Sequence, residues 1–154
     1  MSGEATLHSN AGNASLAFTF EHRESHEGDA GFVVSVRIRG QHWDGDHTRE
    51  LMTLLSHLWF RQSDVVQLRD HMATWLRLPL EALDPRGLDG EFRLTRLPGQ
   101  ELLVTFGERA DVISDRKPVL TVSFAAGRLE GSFLFVTDQS CLNIFVDELS
   151  AAID

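Results

Sequence analysis

The chain has 154 residues and a formal net charge of −9, from 23 acidic against 14 basic side chains, with 42% hydrophobic and 24% charged residues. That length specifies one domain able to bury a core without metal or disulfide staples, and the composition is not that of a disordered chain. No apolar run is long enough to cross a bilayer, and an acidic balance repels a phosphate backbone, so neither membrane nor nucleic acid is expected as a partner.

Residues 1–13 lack the basic and apolar regions of a secretory signal and read as a flexible arm ahead of a single domain over 14–154. The lone Cys141 cannot form an internal disulfide, which together with the missing signal points to a reducing cytoplasm. Leu16, Phe18 and Phe20 alternate with small or polar residues, and Phe32, Val34, Val36 and Ile38 alternate with Ser35, Arg37 and Arg39. Both are the period of a half-buried strand, and the charged stretch Glu21–Gly31 between them reads as the long loop of a hairpin.

Residues 48–61 fit helical spacing as well as a strand buried on both faces. Strand is preferred, because a helix with its own start signal follows at once. Ser63 or Asp64 is placed as N-cap, Gln67 would complete a capping box from Asp64, and Val65, Leu68, Met72, Trp75 and Leu76 line one face. Pro79 should stop this helix near Leu78.

After turn-rich residues 83–90, the segments 91–97 and 101–106 read as strands joined by a tight turn at Pro98–Gln100, and 118–126 and 128–137 as strands turning at Gly127. Gly107 also reads as a turn. Asp138 is placed as N-cap of a terminal helix carrying Leu142, Phe145, Leu149, Ala152 and Ile153 on one face. The expected fold is α+β, a mainly antiparallel sheet of about six to seven strands with a central and a C-terminal helix packed on one face.

Chemistry is sparse. Cys141 would sit at N3 of the terminal helix, where amides and dipole lower a thiol pKa, but no histidine follows His71 to serve as base, and His71 should point to water from the polar side of its helix. Cys141 therefore reads as inert packing. His22 and His26 lie among Glu21, Glu24, Glu27 and Asp29, and His42 and His47 flank Asp44 and Asp46, right ligand types in spacings that match neither a helical HExxH nor a calcium loop. Phosphate-loop, dinucleotide and nucleophile-elbow patterns are missing too. No catalytic residue, cofactor or metal is expected.

The segments "FRQSDVVQLRDHMATWL", "LDGEFRL" and "FLFVTDQSCLNIF" resemble a group of small bacterial proteins, some labelled WapI-like immunity proteins to contact-dependent or secreted toxins. A recurring tDQt-x-L motif of that group corresponds to Thr137, Asp138, Gln139, Ser140 and Leu142, and the likeness spans roughly residues 31 to 150. The chain departs from it at Cys141, where an aromatic residue is expected, and in its apolar "ELMTLLSHLWF". The resemblance implies a non-catalytic protein that blocks a cognate toxin, and charge clustering places the interface at Glu21, Glu24, Glu27, Asp29, Asp44 and Asp46, with Trp43 as apolar anchor. The rivals are a small enzyme using Cys141 or an acidic pair, and a homodimer formed through "ELMTLLSHLWF".

Overall fold

The structure, a computed structural model, describes residues 3–43, 45–78, 89–112 and 115–154, without the side chains of 42, 43, 108–112, 115–117 and 135. In chain order the elements are β1 (Gly3–His8), β2 (Ser15–His26), β3 (Asp29–Trp43), β4 (Thr48–Arg61), α1 (Gln62–Arg77), β5 (Gly90–Arg93), β6 (Gln100–Val112), β7 (Asp115–Ala126), β8 (Leu129–Val136) and α2 (Gln139–Ile153). The fold is α+β, with two antiparallel four-stranded meanders in place of the single sheet expected: β1 to β4, then β5 to β8. Alternation identifies strands without saying which of them pair, and α1, set between β4 and β5, divides them. No helix among the described residues is long and apolar enough to cross a membrane.

Four further expectations are corrected. The supposed arm contains β1, which pairs with β2 from Gly3↔Phe20 to His8↔Ser15 and buries Ala5 and Leu7. Two inward residues are too few to register as a period, but α2 makes the strand worthwhile: Ala152 packs on Gly3, and the Thr6 amide donates to Glu148 Oε1 at 3.1 Å. The loop between β2 and β3 shrinks to Glu27 and Gly28, both at positive φ (51° and 85°), as in a two-residue hairpin turn that matches strand twist. Gly107 is mid-strand, opposite Val119. Finally, α1 begins at Gln62 with Arg61 as N-cap and no side-chain cap, so β4 enters the helix without a linker.

The segment 48–61 is a strand, and α1 buries Val65, Leu68, Met72 and Trp75 as its spacing predicts. It ends at Leu78, whose extended backbone is what a residue before proline adopts; Pro79 and the turns expected over 83–88 lie outside the described residues. α2 starts at the expected cap, Asp138 accepting from the Cys141 amide at 2.8 Å, and buries Leu142, Phe145, Leu149, Ala152 and Ile153. Thr137 shares in this join: it is fully buried, takes the Pro118 carbonyl with its amide at 2.9 Å and donates its hydroxyl to the His8 carbonyl at 2.7 Å.

Sheets and helices enclose one apolar cluster. Phe18 stands at its centre, edge-on to Phe20 and Phe60 and 5.8 Å from Phe145 of α2. On the other side Trp75 meets Phe106 at 5.9 Å. His71 does not face water alone: its ring packs edge-on against Phe92 and Phe106 at 5.0 and 5.4 Å, filling the seam between α1 and the second sheet.

Asp64, the residue misread as a cap, is 4% exposed at the third position of α1. Arg96 grips its carboxylate with two bonds of 2.9 and 3.1 Å, and Arg61 adds a third at 2.9 Å. Burial by itself would raise the Asp64 pKa, but the hydrogen bonds and charges of Arg96 and Arg61 outweigh it and hold it below the usual carboxylate value. A depressed native pKa gives stability that is present above the unfolded value and lost as pH falls through the native one. Asp64→Ala should therefore destabilise the fold by about 2–3 kcal/mol at pH 7, the cost of leaving paired guanidiniums uncompensated. In thermal melts the gap between wild type and variant should close below about pH 4, and a gap independent of pH would assign the loss to packing alone.

Candidate interaction surfaces

The described residues among those singled out for an interface fall at the two ends of β3. Glu27 and Asp29 lie at the β2–β3 turn, and Glu21 and Glu24 on the adjoining part of β2. Asp46 lies beyond the other end, between β3 and β4; Asp44 and the Trp43 side chain lie outside the described residues. β3 is 15 residues long, which separates the two groups by about 45 Å of extended chain. The structure thus gathers Glu21, Glu24, Glu27 and Asp29 at one hairpin end and sets Asp46 apart from them.

That end is more than a row of acids. Register shifts between Phe20 and His22 on β2, and between Val34 and Val36 on β3, so that Glu21 and His57 swing to the outer face. There Glu21 accepts from the Ser35 hydroxyl at 2.7 Å and meets His57 Nδ1 at 3.3 Å, while Glu24 lies 2.7 Å from His26 Nε2 and 3.9 Å from His22 Nε2. His57 holds a φ of 57°, a left-handed conformation uncommon for a side chain other than glycine's. No group of three or more metal-ligating side chains among the described residues could hold an ion.

Trp59 supplies the floor, and sequence reasoning missed it. Its indole lies across Gly31, where an added Cβ would come within 2.4 Å of the ring, and its Nε1 donates to the Glu24 carbonyl at 2.8 Å. His26 closes over it at 5.0 Å, leaving Trp59 only 3% exposed on the outer side of the sheet. Glycine at 31 was the available signal, since a glycine within an apolar strand marks a close approach by a neighbour. The result is a paired strand end on which Glu21 and Glu24 are held by Ser35, His57 and His26, while Glu27 and Asp29 stand exposed at the turn.

Cys141 stands elsewhere, part-buried against the core at the third position of α2. Burial pushes its thiol pKa up, and the Asp138 carboxylate adds to the rise through a hydrogen bond and its charge. The helix-dipole activation that a strand-to-helix position offers is therefore reversed here. Native protein should react with a thiol reagent at pH 7.5 at least about tenfold more slowly than a free cysteine, and Asp138→Asn, which keeps a capping oxygen and removes the charge, should speed the reaction. Native reactivity equal to that of free cysteine would restore Cys141 as a candidate nucleophile. Compared with known proteins, the chain matches no family model, no curated protein and no solved structure.

Proposed function

We propose that this chain is a non-catalytic protein-binding domain of the immunity kind, which neutralises a cognate toxin in the cytoplasm by covering a basic surface on it. The observation that carries the reading is the concentration of Glu21, Glu24, Glu27 and Asp29 on one hairpin end whose backbone is paired up to the turn itself. Glu21 and Glu24, held by Ser35, His57 and His26, lose little entropy on docking, and the net charge of −9 draws a basic partner toward this end. A toxin that acts on nucleic acid must present cations to phosphate, and an acidic surface of fixed shape competes for those cations. The resemblance around Thr137, Asp138 and Leu142 supports the same reading, although in this fold those residues join the sheets and start α2 and do not form the docking surface.

The part-buried setting of Cys141 beside Asp138, which raises its thiol pKa, disfavours it as the nucleophile of the rival enzyme reading. The test is calorimetry against an inactivated form of the protein encoded beside this one. One-to-one binding is expected, weakened at least about tenfold in the triple variant Glu24→Lys, Glu27→Lys, Asp29→Lys, and in wild type by raising salt beyond the Debye regime of exposed charges. Binding that ignores the triple variant would place the interface elsewhere, and no binding would reject the inhibitor reading.

A further inference from the structure

β4 ends its sheet, and its two halves differ. Toward α1 it is covered: Phe60 bridges to Thr95, the Trp59 amide donates to Gln100 Oε1 at 3.1 Å, and Gln100 Nε2 reaches the His57 carbonyl at 3.4 Å. From Glu50 to Leu55 no strand among the described residues continues the sheet, and there Leu51, Met52 and Leu54 are 51%, 63% and 61% exposed. The opposite edge, β1, is closed by α2 through the Thr6 to Glu148 bond. Proteins blunt exposed edges with lysine, proline or bulges. Residues 48–55 contain neither lysine nor proline, carry charge only at Arg49 and Glu50, and keep regular register with β3 up to Leu55.

We infer that this open half of β4 is a self-association surface, on which a second copy of the chain adds its own β4 antiparallel about a two-fold axis at Met52. The charges of the segment select a second copy. On the outer face β3 sets Arg39 opposite Met52 and Arg37 opposite Leu54, and Glu50 already pairs with Arg39 of its own chain. With Met52 facing Met52 of the second copy, Leu54 lies opposite Glu50 of that copy. The carboxylate of Glu50 then stands across Leu54 from Arg37, about 10 Å away along two strand spacings and within reach of both long side chains. The two-fold repeats the pair, so each Glu50 bridges its own Arg39 to Arg37 of the other copy, while the two Met52 and two Leu54 side chains share one patch. On the inner face Leu51 meets Thr53 in the same register. Such an isologous contact closes on itself and uses up the open edge of this sheet.

Sedimentation equilibrium of the full chain between roughly 10 and 500 µM tests this, because self-association is read directly as mass against concentration. A monomer–dimer equilibrium is expected. Met52→Lys, which sets two lysines together on the axis, should raise the dimer dissociation constant at least about tenfold without lowering the melting temperature of the monomer. Glu50→Arg should weaken the dimer, and Arg37→Glu added to it should restore association, an outcome that only this register gives. A single species of 17.2 kDa at every concentration, or a dimer indifferent to Met52→Lys, overturns the proposal. So does a monomer that captures an extended segment of another protein on the same edge.

Discussion

Where α1 leaves the first sheet, the Asp64 carboxylate ties that sheet to the second. β4 runs into α1 without a linker, so the third helical position falls where the first sheet meets the turn between β5 and β6, and the side chain there faces Arg96 from one sheet and Arg61 from the other. A neutral residue at 64 would leave two guanidiniums converging on nothing. A carboxylate satisfies both, gives up the ordinary capping role in doing so, and fixes the angle at which α1 leaves the sheet. The Phe60 to Thr95 bridge continues the same seam, and the Thr95 hydroxyl, which accepts from the Leu102 amide at 2.9 Å, ties that bridge to β6. At the other end of the second sheet Thr137 and the bond from the Asn10 amide to the Val136 carbonyl at 3.0 Å close the circuit. The two meanders thus share one core.

Element types were legible where one face alone is buried. Phe18 and Phe20, Phe32 to Ile38, and the faces of both helices follow their periods, because each repeats one environment over several turns or pleats. Three kinds of feature were not legible. β1 has only Ala5 and Leu7 pointing inward, and its reason for forming is α2, nearly the whole chain away. The extension of β2 and β3 past Glu21 is stabilised by pairing with a tight turn, while its outward residues are polar on both sides, so composition reads as loop. Asp64 and His71 look like a cap and a solvated histidine, and become a buried ion partner and an aromatic filler only once the second sheet is packed on α1.

The candidate surface was legible by charge and illegible by place. Six acids and a tryptophan in two polar stretches look like one rim until β3 is drawn at full length, which puts those stretches at opposite ends of a strand. What distinguishes the β2–β3 end is its support: Trp59 crosses Gly31 to bond the Glu24 carbonyl, and Ser35 and His57 hold Glu21. None of these partners is near Glu21 or Glu24 in sequence, and the bulges that bring them to the outer face leave no mark in an alternating pattern.

The two surfaces place opposite demands on the same sheet. The acidic end gains from rigidity, which bulges, a left-handed His57 and a buried indole provide; the open half of β4 gains from a regular, flat edge, which requires that those irregularities begin only beyond Leu55. They do, and the sheet is accordingly divided along β4 into an irregular, covered half and a regular, open one. A two-fold at Met52 would lie on the open half, so the acidic ends of the two copies would point away from each other and stay accessible together. The carboxylates at Glu21, Glu24, Glu27 and Asp29 would then lie beyond the covered half of β4, while Arg37, Arg39 and Glu50 would stand beside the axis and pair across it.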